Sequence, residues 1–353
     1  MANRFLKLLS ERPFLMADGA TGTNLFGMGL MTGDSPELWN FEHPDRIEIL
    51  HQSFVDAGAD LFLTNSFGGT RHRLKLHNGQ DRVHEINKRA AEIARKVADA
   101  AMKAQPGREI VVAGSMGPTG ELFQPMGPLT EQDAIDAFAE QAAALKEGGV
   151  DVLWIETMYS REEVSAAVAG AATTGLPFVT TMSFDTNGKT MMGISPADFV
   201  AFVHTLDPKP VAYGANCGVG ASDLVATIVK LAEAAAPDDI IIAKGNCGIP
   251  YYEEGKIRYN GTPELMADYA RIVRDAGARI VGGCCGTSPE HLRSIRAALE
   301  AHQPGEKPTL EQIVARLGPL TEGARAQLGG DAPAAAVRRG RPRDRSAPEE
   351  GAV

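Results

Sequence analysis

Short apolar, β-branched runs alternate eight times along this chain with longer segments of helical periodicity. The apolar runs cover residues 14–20, 60–68, 109–117, 151–158, 177–184, 210–218, 239–248 and 278–286. Most are near-continuous rather than alternating, as expected of parallel strands buried on both faces. The segments between them carry the 3.6-residue period. Residues 46–57 place Ile47, Leu50, Phe54 and Ala57 along one face, and 81–102, 131–147, 161–173, 196–206, 222–235, 263–276 and 289–301 supply the remaining helices.

The boundaries carry their own chemistry. Ala57-Gly58-Ala59-Asp60, Gly148-Gly149-Val150-Asp151 and Ala276-Gly277-Ala278-Arg279 each predict a helix that ends on a left-handed glycine and passes straight into a strand. Pro263 after Thr262 and Pro289 after Ser288 read as first helical positions behind hydroxyl caps. Eight βα units over roughly 290 residues predict an α/β fold, a single-domain (β/α)8 TIM barrel. An open doubly wound sheet is the alternative, and eight units fit it less well. The barrel is expected over residues 10–302. Residues 303–353 are expected to form a linker and tail, with one short helix near 309–317 and a disorder composition after Gly329.

Composition narrows the function. The chain has 353 residues, a formal net charge of -10 and 6% aromatic residues. The acidic balance argues against nucleic acid or an anionic membrane as partner, and the basic run 338–343 is short and followed by Glu349 and Glu350. No apolar run approaches the roughly 18 residues that span a bilayer. The first nine residues have neither a long apolar region nor a small-residue cleavage site. Four cysteines in a chain of this size are no disulfide framework, so a cytoplasmic location is expected.

In a (β/α)8 barrel the carboxyl ends of the strands carry the active site. Here those ends read Asp18, Thr64-Asn65-Ser66, Ser115, Glu156-Thr157, Ser183-Phe184, Asn216-Cys217, Asn246-Cys247 and Cys284-Cys285. Polar or ligating residues thus follow apolar strand bodies almost without exception, a pattern of an enzyme. Cys217 and the Cys284-Cys285 pair, separated by one strand in a closed barrel, form a soft, compact ligand set that favours Zn2+ with a fourth position open. A net-anionic three-thiolate centre suits deprotonation of an incoming thiol better than activation of water, which points to thiol alkylation. Asp18 and Glu156 at the ends of strands one and four suit a substrate ammonium, and the backbone around Gly19, Gly22 and Thr23 offers donors to a carboxylate.

These residues resemble the homocysteine S-methyltransferases: betaine–homocysteine methyltransferase, the S-methylmethionine-dependent enzymes, and the homocysteine module of cobalamin-dependent methionine synthase. The resemblance runs from Phe14 to His302 through Asp18-Gly19-Ala20-Thr21-Gly22-Thr23, Thr64-Asn65-Ser66-Phe67, Gly114-Ser115-Met116-Gly117-Pro118, Ile155-Glu156-Thr157, Gly214-Ala215-Asn216-Cys217 and Gly282-Gly283-Cys284-Cys285-Gly286-Thr287. It implies Cys217, Cys284 and Cys285 as zinc ligands, with Asn246 as a possible fourth before substrate arrives. It also implies Asp18 and Glu156 as the catalytic pair that binds the homocysteine amino group, with Gly19, Thr64 and Ser66 completing that pocket. Cys247 is read as a small core residue. The implied reaction methylates homocysteine to methionine, with glycine betaine or a related onium compound as donor and Phe26, Trp39, Phe67, Phe123 and Tyr159 as its candidate aromatic shelter. Trp39 is displaced from the donor motif of the animal betaine enzymes. One alternative is the homocysteine-activating subunit of a split cobalamin-dependent methionine synthase, which would need a separate corrinoid protein. Another, of a different class, is a non-catalytic zinc- or thiol-binding barrel. A zinc hydrolase is weakened because no His-x-His or His-Glu-x-x-His pattern occurs.

Overall fold

Two nested apolar layers organise the structure, a computed structural model that describes residues 3–253 and 256–329. Eight parallel strands form the wall: β1 (Leu15–Met16), β2 (Leu61–Leu63), β3 (Val111–Met116), β4 (Val152–Met158), β5 (Phe178–Met182), β6 (Ala212–Cys217), β7 (Ile241–Gly245) and, after a hairpin of β8 (Pro250–Glu253) and β9 (Lys256–Tyr259), β10 (Ala278–Gly283). Their order, β1-β10-β7-β6-β5-β4-β3-β2, is that of a rolled parallel sheet with β1 and β2 at the seam. Helices on the outside bury the larger apolar layer, from Ile47 and Phe54 through Phe138 and Phe199 to Ile295. The fold is the expected (β/α)8 TIM barrel.

The second layer fills the barrel. Leu15, Ala17, Leu61, Leu63, Val111, Ala113, Val152, Trp154, Val179, Ala212, Ile242 and Ile280 meet inside it. Phe5, Leu8 and Leu9 join them from a helix the periodicity reading did not mark, Arg4–Glu11. Its apolar face stops the barrel at the end where the strands begin, and Arg4 pins it to Glu109 and Asp151 at 2.9 Å each. The strand ends that carry ligating residues therefore open at the other end only.

At the seam, side chains stand in for part of a strand ladder. The Asp60 N–H donates to the Met16 carbonyl at 2.8 Å, and its carboxylate accepts the Met16 N–H at 2.7 Å. One turn of pleat further on, Asp18 Oδ2 accepts the Leu63 N–H at 2.8 Å. This explains why β1 and β2 are so much shorter than the apolar runs that announced them. The hinge glycines Gly58, Gly149 and Gly277 all take the left-handed conformation (φ 97°, 97° and 106°), and Thr262 and Ser288 cap their helices with proline next in line.

The short helix expected near 309–317 is present as Leu310–Leu317, but the stretch after 303 packs on the barrel where a free linker was expected. Helices Leu310–Leu317 and Glu322–Gln327 lie on the barrel, with Ile313 and Leu317 in the outer core and Thr321 bonded to Asp223. Short amphipathic turns flanked by Gly and Pro resemble a linker in composition although their apolar positions find a partner. The basic run 338–343 and Glu349–Glu350 lie outside the described residues. Among those described, no helix is long and apolar enough to cross a membrane.

Because Phe5 is wholly buried in the barrel plug, Phe5→Ala should lower unfolding free energy by about 3–5 kcal/mol. Denaturant unfolding followed by circular dichroism measures it. A loss under about 1 kcal/mol would mean the N-terminal helix is not part of the folded core.

Candidate metal centre

Three strands set the position of the sulfurs. Cys217 at the end of β6 pairs with Gly245 of β7, and Gly245 pairs in turn with Gly283 of β10, so Cys217 and Cys284 lie almost level on either side of β7. The Cys284 N–H then donates to the Gly245 carbonyl at 2.7 Å and the Cys247 N–H to the Cys285 carbonyl at 2.9 Å, fixing the turn that presents both sulfurs. Cys217 takes the left-handed conformation at φ 62°, rare for a residue with a Cβ, which aims its side chain toward the pair.

The three Sγ atoms fall within 4.8 Å of one another, and Cys217 and Cys285 are 3.8 Å apart. All four cysteines are free. A disulfide needs about 2.05 Å, whereas tetrahedral zinc with bonds of roughly 2.3 Å separates its sulfurs by about 3.8 Å. The donor set thus fits zinc in both chemistry and spacing. Hydrogen bonding among the sulfurs holds Cys285 down against the opposing effect of burial, while hydrogen bonding and burial leave Cys217 and Cys284 pushed up. Cys247 lies apart in the apolar core.

Amide side chains clamp the two cysteine turns. Asn246 Oδ1 accepts the Cys285 N–H at 3.1 Å while its Nδ2 donates to the Gly218 carbonyl at 2.7 Å. Asn216 accepts from the Thr157 N–H and the Thr181 hydroxyl and donates to the Thr157 hydroxyl, tying β6 to the end of β4. Gly286, at φ 80°, leaves room for the Tyr259 ring, which a Cβ there would meet at 2.4 Å. The hairpin thereby delivers Tyr259 beside Cys285, while Tyr159 lies near Cys217.

Glu156 is buried beside this centre, its Oε1 accepting the Ser115 hydroxyl at 2.5 Å. Burial pushes its carboxyl up to about 7, against the opposing pull of Lys244 and Ser115. Thr64 and Ser66 serve the same corner from beneath. The Thr64 hydroxyl accepts the Ser115 N–H at 3.0 Å, and Ser66 donates to the Ser115 carbonyl at 2.8 Å. Both are buried and orient Ser115. Gly19 is pressed against the Thr287 carbonyl, 2.6 Å from where a Cβ would stand.

Asp18 is buried and already partnered: Oδ1 lies 2.6 Å from Lys244 Nζ, and Oδ2 holds the seam. Burial disfavours charge on both residues, but Asp18 and Glu156 outweigh it at Lys244 and keep its ammonium protonated. The sequence reading did not single out Lys244. Its signal was there, a lone cation directly following the apolar run Ile240-Ile241-Ile242-Ala243. Tyr259 carried no comparable signal, because it depends on a hairpin. Of the aromatic candidates, Trp39 is buried under the Arg46 guanidinium at 4.9 Å and against His43, so it offers no face to a ligand. A cleft of about 500 Å3 lined by Arg12, Asp60, Arg108 and Arg296 lies where strands begin, with Asp60 paired to Arg12 and Arg296 and Arg108 bonded to the Val55 carbonyl.

Known proteins resemble this chain in sequence and fold. Residues 15–299 match the family model described as homocysteine S-methyltransferase. The chain is 30% identical over 322 residues to methionine synthase of Mycobacterium leprae and 31% over 309 residues to that of Mycobacterium tuberculosis. Those alignments take in 88% and 83% of this chain but only 26% and 25% of the relatives, so the chain spans about a quarter of their length. Among solved structures, the metallated form of the homocysteine methyltransferase MmuM from Escherichia coli superposes with a TM-score of 0.71 at 24% identity, covering 84% of this chain and 99% of that one. Its oxidised form gives 0.70. The fold is shared with MmuM, and with a family match over most of its length the chain belongs to the homocysteine S-methyltransferase family.

Proposed function

We propose that this protein transfers a methyl group to the thiol of homocysteine, yielding methionine, with zinc held by Cys217, Cys284 and Cys285. The observation that carries the reading is the convergence of three free thiols at tetrahedral spacing beside a buried carboxylate. Zinc bound there would take the acceptor sulfur as its fourth ligand and favour the thiolate near neutral pH. Glu156, oriented by Ser115, receives the acceptor's ammonium, with Asp18 completing the acidic end of the pocket. The thiolate lone pair then forms the S–CH3 bond as the bond from methyl to its leaving group breaks, the pair departing with that group. Asn216 and Asn246 hold the sulfurs so that donor and acceptor meet in line.

A good leaving group is required, and a small onium donor such as glycine betaine provides one. Tyr159 and Tyr259, close enough to the cysteines to feel their charge, are the aromatic residues this reading assigns to shelter a methylated cation. One observation favours a second reading, a methyl group delivered by a corrinoid protein. Phe26, Leu122, Met126, Met191, Met192, Ile249, Tyr251 and Tyr252 are all exposed, and they lie in the connections after β1, β3, β5 and β7, on the same barrel end as the cysteines. A rim of this kind suits a protein donor.

Metal content gives the first test. Cys284→Ala should lose bound zinc and turnover together, whereas Cys247→Ala keeps both; full zinc in Cys284→Ala contradicts the ligand set. Glu156 gives the second. A carboxyl near 7 is charged only above that pH, so the penalty of Glu156→Gln on the homocysteine KM should grow as pH rises through 7 and fade below about 6. Its plateau should correspond to about 2–5 kcal/mol. A penalty independent of pH would remove Glu156 from the ammonium site. The donor is settled by methionine formation from homocysteine with betaine, dimethylsulfoniopropionate, S-methylmethionine and methylcobalamin in parallel. Activity with methylcobalamin alone, or only with an added corrinoid protein, rejects the onium donor.

A further inference from the structure

The acidic end of the pocket holds its own cation. Lys244 projects from β7 into the barrel with its side chain 3% exposed, its Nζ 2.6 Å from Asp18 Oδ1 and 5.8 Å from the centre of the Trp154 ring. The other Asp18 oxygen takes the Leu63 N–H. Each Asp18 oxygen therefore already has a partner without any ligand. Two buried carboxylates facing one pocket call for about two positive charges, and here the protein provides the first. An acceptor's ammonium placed on Asp18 would have to displace the lysine or sit against it, and like charges in a buried site repel strongly.

We propose that Lys244 is a specificity-determining residue: its ammonium fills the place on Asp18 that an acceptor's α-ammonium would otherwise take, so thiols lacking the α-amino group are also methylated. Recognition of the amino group then falls to Glu156 alone. When an acceptor brings no ammonium, Glu156 can take a proton at little cost near neutral pH, since burial already holds its carboxyl near 7. With Glu156 protonated, the Asp18–Lys244 pair leaves that end of the pocket without net charge. A site with both carboxylates open would reject the same molecule, because two buried charges would go unpaired.

The inference rests on the homocysteine reading, and the test separates the two. Zinc-loaded protein is assayed with homocysteine and with 4-mercaptobutanoate, its des-amino analogue, and binding of each is followed by calorimetry. The wild type should prefer homocysteine by less than about tenfold in kcat/KM and bind both. Lys244→Met leaves Asp18 uncompensated, so the preference should rise by about thirtyfold or more, with 4-mercaptobutanoate binding lost first. Lys244→Met with Asp18→Asn removes both charges together and should restore a preference near the wild-type value. That pair carries the test if the single variant does not fold. A wild-type preference above about a thousandfold, or an unchanged preference in a folded, zinc-containing Lys244→Met protein, overturns the role of Lys244. Absence of turnover with every donor would instead strike the methyl-transfer reading, and calorimetry would still report on Lys244.

Discussion

The structure depends above all on the register that sets Cys217 level with Cys284 across β7. A shift of one residue in either ladder would turn a sulfur to the wall's other face, since strand side chains alternate. The barrel enforces that register twice over. Trp154, Leu63, Ile242 and their neighbours fill the interior, and the Arg4–Glu11 helix stops its far end. Amide clamps from Asn216 and Asn246 then correct what the ladder leaves free. The left-handed Cys217 is tolerated because the loops around it are held on both sides.

Charge is the second constraint. Two carboxylates, one lysine and three thiols lie within a mostly apolar barrel. Burying either carboxylate or the lysine alone in charged form would cost several kcal/mol. The arrangement offsets this pairwise: Asp18 against Lys244 and the Leu63 N–H, and Glu156 against the Ser115 hydroxyl. Asp18 consequently does two jobs, closing the β1–β2 seam and holding the lysine. Replacing it would disturb fold and pocket together, which is why the neutral pair of substitutions is more informative than Asp18→Asn alone.

Much of this was legible in the sequence. The apolar runs located every barrel strand, because buried parallel strands cannot hide their composition, and the polar residues that end them marked the site. Cys217 with Cys284-Cys285 was readable because strand order fixes which loops meet. Three things were not. The seam is made by the side chains of Asp60 and Asp18, so the runs overstated β1 and β2. The plug helix has only three fully inward residues, Phe5, Leu8 and Leu9, too short a pattern to stand out. Lys244 and Tyr259 reach the site through tertiary contacts with Asp18 and Gly286, which no local period encodes. Trp39 erred the other way: an aromatic in the expected stretch is consumed by Arg46 and the outer core.

The central claim is that three protein sulfurs hold a metal whose fourth position accepts the substrate thiol. X-ray absorption at the zinc edge measures this directly, on the protein alone and with homocysteine added. The account predicts three sulfur neighbours at about 2.3 Å without substrate and four with it. A sulfur count that does not rise on adding homocysteine would contradict it.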